Sequence, residues 1–72
     1  MNKERLSGFD STDIIGTKFT TDLICESLSD QSHVYNIEFT IQPPDQKKVE
    51  FELKFTCYTD AQQAMDALSK SL

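Results

Sequence analysis

The sequence predicts an α+β domain: a three-stranded antiparallel β-meander with a C-terminal α-helix packed on one face (β-β-β-α). Three observations predict this fold. Two segments that flank a Pro-Pro turn alternate between apolar and polar residues, an earlier segment alternates in the same way, and the last stretch carries apolar residues at helical spacing. We assign residues 1–16 to an irregular lead-in and residues 17–72 to a single small α+β domain.

The N-terminal segment gives the weakest signal. Its few apolar residues follow neither the strand nor the helix period, and Gly8 and Gly16 interrupt it. The polar run over 10–13 is typical of a turn or of a helix start. A short helical turn over 11–15 and an extended lead-in to the first strand both remain open.

The three strands are predicted from alternation over Thr17–Leu28 and, on either side of a turn at 42–47, over His33–Cys57. A period of two over such lengths is typical of strands that bury one face. Folding the chain about Asp30 and Asp45 gives the three strands one shared apolar face. The expected facing pairs are Phe19 with Ile41, Leu23 with Ile37, Ile41 with Val49, Phe39 with Phe51, Ile37 with Leu53 and Tyr35 with Phe55.

The register of the second hairpin stays open between two alternatives. The symmetric register places Glu38 opposite Glu52, and like charges at facing positions are destabilising. A shift of two residues places Glu38 opposite Lys54 instead. Alternation does not separate the two registers, because both keep the same residues on the apolar face.

The C-terminal helix is predicted from a start signal and an apolar stripe. In Thr59-Asp60-Ala61-Gln62 the threonine can cap the helix and Gln62 can reach back to it. Apolar residues then follow at spacings of three and four. They are Ala61, Ala64, Met65, Leu68 and Leu72. We expect this stripe to cover the apolar face of the sheet, including its phenylalanines.

Charge and composition restrict the classes of partner. The net charge is -5 at pH 7 with 38% hydrophobic residues, which is typical of a folded acidic domain. This balance disfavours direct nucleic-acid binding, because such a protein must neutralise phosphates with a basic face.

The N-terminus leads into no apolar run typical of a signal peptide, and no stretch is long enough to span a membrane. We therefore expect a cytoplasmic protein that binds no membrane.

The catalytic inventory is small. His33 is the single histidine, so one chain offers no His-paired metal site. Cys25 and Cys57 are predicted on the two outer strands, roughly 10 Å apart, whereas a disulfide needs less than about 7 Å. We read both cysteines as small buried hydrophobic residues, and a nucleophile–base pair of His33 with either of them is a minor hypothesis. We expect no catalytic residue, no metal and no cofactor.

Two features indicate binding of another protein. Ile24, Val34 and Tyr58 are predicted among polar residues on the open face of the sheet, and an apolar cluster rimmed by charge can mark a partner site. The outer strand from Lys48 to Tyr58 is also long, lacks proline and leaves backbone groups unpaired. The predicted partner-binding residues are Ile24, Val34, Glu38, Glu50, Glu52 and Tyr58.

The sequence therefore predicts a small acidic, non-enzymatic protein–protein interaction protein of the adaptor or inhibitor type. It would bind another protein, or form a homodimer, through a sheet edge or the open sheet face. A nucleic-acid-binding module is the first alternative, based on a local basic patch of Lys3, Arg5, Lys18, Lys47 and Lys48. An inhibitor of a nucleic-acid-handling protein, of the kind that mobile elements encode, is the second.

Overall fold

The computed structural model describes residues 2–71, which form one antiparallel sheet with a helix on one of its faces. The four strands lie in the sheet in chain order. The elements are β1 (Asn2–Thr12), β2 (Lys18–Ser27), β3 (His33–Gln42), β4 (Val49–Phe55) and α1 (Tyr58–Ser71). The prediction of an antiparallel sheet followed by a C-terminal helix is confirmed, but the predicted number of strands is wrong, because the sheet has four.

The additional strand is β1, so the prediction of an irregular or helical N-terminal segment is wrong. β1 pairs with β2 along its whole length, and the register shifts between Arg5 and Ser7, which leaves Leu6 in a β-bulge. Backbone hydrogen bonds to β2 order this segment in place of side-chain alternation. One apolar residue, Phe9, anchors it to the core.

The strand pairing predicted by alternation is confirmed for the remaining three strands. Leu23 faces Ile37, and Ile37 faces Leu53. The second hairpin adopts the symmetric register, which places Glu38 opposite Glu52. β4 ends at residue 55 and does not continue to residue 58.

Carboxylates and left-handed backbone close the turns. The first turn is held by Asp13, whose Oδ1 accepts hydrogen bonds from the amides of Ile15 at 3.0 Å and Thr17 at 2.9 Å. In the second turn Asp30 Oδ1 accepts from Ser32 Oγ at 2.6 Å and from the Ser32 amide at 3.1 Å. The hydroxyl and then the amide of Ser32 hold the pKa of Asp30 below its ordinary value. Positive φ angles occur at Gly16 (94°), Gln31 (70°) and Asp45 (57°).

The core lies between α1 and the middle of the sheet. Leu23, Ile37 and Ala61 are fully buried, and Met65 is 4% exposed. Around them pack Phe9, Tyr35, Phe55, Ala64 and Leu68. The predicted helical stripe is therefore confirmed for its first four members, whereas Leu72 lies outside the described residues. Within residues 2–71, no helix has both the length and the apolar character needed to cross a membrane.

Candidate interaction surface

α1 covers only part of the apolar face of the sheet. Its 14 residues give a helix about 21 Å long, whereas the ten residues of β2 extend over about 33 Å. On β4 the side chains of Val49, Phe51 and Leu53 stay 45%, 55% and 50% exposed. We call these three residues the β4 strip. The expectation that the helix covers the strand phenylalanines is therefore wrong at Phe51.

The β4 strip is the outer margin of a larger apolar surface. The Phe39 ring lies between its neighbours, with its centroid 6.3 Å from that of Phe51 and 6.4 Å from that of Phe19. Phe19, Phe39 and Ile41 are partly buried, so exposure increases from the middle of the sheet towards β4. A contiguous exposed apolar surface indicates an interaction site more strongly than scattered apolar residues do.

The two edges of the sheet differ in how they are protected. β1 has a bulge at Leu6, a glycine at position 8 and three consecutive charged residues over 3–5. Bulges and charges of this kind disfavour pairing with another chain. β4 pairs with β3 without a register shift, and its seven residues include neither glycine nor proline. The β4 edge is therefore the better template for an added strand.

The open face beside the β4 edge carries carboxylates. Glu38, Glu50 and Glu52 line a depression there, together with Thr40 and Phe51. The Nζ of Lys48 lies 3.2 Å from Glu50 Oε1, and the Nζ of Lys54 lies 3.8 Å from Glu52 Oε1. Each of these pairs contributes little to stability because both partners are exposed to solvent. β4 thus presents apolar side chains on one face and charged side chains on the other.

A further carboxylate of this face, Asp22, is neutralised from β1. Arg5 Nε donates a hydrogen bond to Asp22 Oδ1 at 2.8 Å. Gly8 faces Asp22 across the strands, and a Cβ at this glycine would contact the Arg5 guanidinium and the Asp22 carboxylate. The Arg5 side chain therefore reaches Asp22 by lying over Gly8, where any other residue would place a Cβ in its path. Among residues 2–71, no ion pair involves Glu38, so negative charge remains nearer to β4.

The predicted partner-binding residues do not share one surface. Alternation and register place five of them on the open face: Ile24, Val34, Glu38, Glu50 and Glu52. The prediction that Tyr58 lies beside them is wrong, because Tyr58 begins α1 and its ring centroid lies 5.6 Å from that of Tyr35.

Sequence reasoning missed the β4 strip, which it placed under the helix. Length was part of the available signal, because a helix of 14 residues is shorter than the ten-residue strands β2 and β3. Length does not account for Leu53, which is half exposed although it faces the fully buried Ile37.

The thiols and the histidine are arranged differently from the prediction. Both cysteines are free, as expected, but Cys57 is exposed between β4 and α1, and Cys25 is only partly buried on an inner strand. His33 begins β3, with its Nδ1 3.9 Å from Cys25 Sγ and 3.3 Å from Ser27 Oγ. In the described part of the chain, no group of three or more His, Cys, Asp or Glu side chains is placed to hold a metal ion.

The basic residues considered for nucleic-acid binding are divided between the two ends of the sheet. Lys3 faces Glu26 near one end, and Lys18 faces Gln42 at the other. Arg5 and Lys48 are engaged in the ion pairs described above. Lys47 and Lys48 lie between β3 and β4, at the same end of the sheet as Lys18, so three of the five basic residues share one end and Lys3 and Arg5 lie apart from them.

Comparison of the chain with models of protein families, with curated proteins and with solved structures finds no match.

Proposed function

We propose that this chain is a non-enzymatic protein–protein interaction protein that binds its partner along the β4 edge. The observation that carries the proposal is the β4 strip, since three large apolar side chains are each about half exposed on an edge strand that lacks a bulge, glycine and proline. A small domain gains stability when such a surface is covered by a partner.

Strand addition fits both the backbone and the side chains of β4. An added strand forms main-chain hydrogen bonds with the edge, and its alternate side chains supply specificity. On one face its apolar side chains would cover the β4 strip. On the other face its basic or polar side chains would meet Glu50 and Glu52. The partner segment that fits is therefore an extended strand with alternating apolar and basic or polar residues.

Adaptor and inhibitor are the two forms of this function that we propose, with the cytoplasm as the compartment. An inhibitor of a nucleic-acid-handling protein would place the carboxylates at Glu38, Glu50 and Glu52 against a basic groove of that protein. The exposed carboxylates beside the edge support this form. Electrostatic complementarity of this type speeds association and selects the partner.

Affinity capture with matched variants tests the proposal. Tagged wild-type protein, Phe51→Lys and Ile15→Lys are compared for the proteins they retain, which include an untagged copy of the chain. Ile15 lies in the β1–β2 turn and is 72% exposed, so its variant carries the same new charge away from the β4 edge. We expect Ile15→Lys to retain what the wild type retains, and Phe51→Lys to lose it. Equal retention by all three would refute the β4 edge as the binding site.

A mobility shift distinguishes the nucleic-acid alternative. If nucleic acid binds at low salt with the same affinity for Ile15→Lys and Phe51→Lys, which carry the same added charge, the basic residues carry the function instead of the β4 edge. Circular dichroism of each variant verifies that the sheet and helix are intact.

A further inference from the structure

We infer that the occupant of the β4 edge is a second copy of this chain, paired antiparallel with β4 about a two-fold axis at Leu53. This inference rests on the proposed function and adds the identity of the partner and the register. Its evidence is the self-complementarity of β4, the protection of β1 and the position of α1.

The register centred on Leu53 pairs unlike charges. In a symmetric antiparallel pair, facing residues lie on the same face of the sheet. With Leu53 on the axis, Glu52 faces Lys54 of the second copy and Phe51 faces Phe55 of the second copy. Each ion pair occurs twice because the interface is isologous. The exposed contact between Glu52 and Lys54 within one chain, at 3.8 Å, is exchanged for contacts between chains.

The neighbouring registers bring like charges together. Centring the pair on Glu52 sets the two Glu52 carboxylates opposite one another. Centring it on Phe51 sets Glu50 opposite Glu52 twice, and Lys48 opposite Lys54 twice. Like charges at facing positions are destabilising. Among these three registers, the one centred on Leu53 alone avoids every such pair while it still joins the two β4 strips.

The β4 strip is covered in this arrangement. Leu53 contacts its own symmetry copy, and Phe51 lies beside Phe55 of the second copy, next to the ring of Phe39. α1 leaves the edge strand accessible, since Val49, Phe51 and Leu53 are each about half exposed. The apolar surface that begins at Phe19 thus continues across the two-fold axis.

The asymmetry of the two edges fits a closed dimer. Pairing through β4 gives a continuous eight-stranded sheet whose outer strands are both β1. Each outer edge then carries the bulge at Leu6 and the charges over 3–5, which oppose the addition of further chains. The assembly therefore ends at two copies and does not grow into a fibre.

Solution mass with charge variants tests the inference. Sedimentation equilibrium is measured over a range of concentrations under reducing conditions. The wild type should reach twice the chain mass of 8.2 kDa. Glu52→Lys and Lys54→Glu should each dimerise at least about tenfold more weakly, because each converts two unlike pairs into two like pairs. A mixture of the two variants should form a heterodimer, since one chain then carries lysine and the other glutamate at both positions 52 and 54.

The double variant Glu52→Lys/Lys54→Glu identifies the register. It restores unlike pairs about Leu53, so wild-type dimerisation should return, whereas pairing about Glu52 would set two lysines opposite each other. The turn variant Ile15→Lys is the control and should dimerise as the wild type does. Dimerisation that the charge variants do not change would overturn the inference.

A monomer at every concentration would also overturn the inference, and affinity capture then decides the fate of the proposed function. If a foreign protein is lost with Phe51→Lys and kept with Ile15→Lys, the proposed function stands with a different partner. If nothing is lost with Phe51→Lys, both proposals fail.

Discussion

Truncation of two neighbouring residues on one cross-strand row tests how far α1 covers the sheet. Ile37 and Leu53 face each other on β3 and β4, but Ile37 is fully buried and Leu53 is 50% exposed. Replacing a buried isoleucine by alanine typically lowers the free energy of unfolding by about 2–5 kcal/mol, since burial is lost and a cavity forms. Full burial of a leucine contributes about 1.5–3 kcal/mol, so we expect about 1 kcal/mol for Leu53→Ala, which leaves no enclosed cavity.

Urea denaturation followed by circular dichroism measures both variants. The experiment uses the Lys54→Glu background at low protein concentration, so that dimerisation does not contribute to the free energy of unfolding. We expect Ile37→Ala to lose about three times as much stability as Leu53→Ala, with little change in the dependence on urea. If Ile37→Ala fails to fold while Leu53→Ala folds, the result still agrees with a larger loss of stability at Ile37. Equal losses would mean that the helix also covers β4, and would refute the exposed β4 strip.

Three further predictions concern the edge, one turn and the thiols. Gly8→Ala should lower the free energy of unfolding, because the new Cβ meets the ion pair of Arg5 and Asp22 that lies over this residue. This is opposite to the usual effect, since alanine is normally more stable than glycine inside a strand. A variant that is more stable in chemical denaturation would contradict the prediction. The pKa of Asp30 is lowered in the folded state, so its contribution to stability is present above pH 3.8 and is lost as the pH falls through the folded pKa. Ser32→Ala should raise that pKa in an NMR titration, and an unchanged value would contradict the assigned cause. Cys57 should be alkylated faster than Cys25 in the native protein, so a fast phase that survives Cys57→Ser would contradict the structure.

Most of the sheet could be predicted from the sequence because one face of β2, β3 and β4 is apolar. A one-residue slip would expose all of those side chains, so alternation alone specifies which residues share the apolar face. The register of the second hairpin could not be chosen in this way. The structure adopts the register with Glu38 opposite Glu52, and both glutamates are close enough to solvent for the repulsion to be weakened.

β1 could not be predicted because it lacks the signal that alternation supplies. Its two apolar residues, Leu6 and Phe9, are out of phase, and Leu6 lies in the bulge and is 40% exposed. Glycine and charged residues lower its β propensity further. Its order depends on hydrogen bonds to β2, and a sequence pattern does not show such a partner.

The sequence predicts only part of the surface that we propose as the binding site. An unpaired outer strand over residues 48–58 and carboxylates on its open face follow from strand alternation, and the structure places Glu38, Glu50 and Glu52 there. The apolar half of the surface was not predicted, because a shared face does not reveal how much of it a helix covers. Phe51 and Leu53 stay exposed because the buried residues of α1 pack on Leu23 and Ile37 in the middle of the sheet.

Hydrogen exchange of the wild-type protein tests the central claim, that β4 pairs with a second copy, most directly. The exchange rate of each backbone amide is measured by NMR at a low and a high protein concentration. We predict that the outward-facing amides of β4 slow markedly at the higher concentration, whereas the outward-facing amides of β1 do not change, since only the β4 edge gains a hydrogen-bonded strand. Outward-facing amides of β4 that exchange as fast as those of β1 at both concentrations would contradict the account.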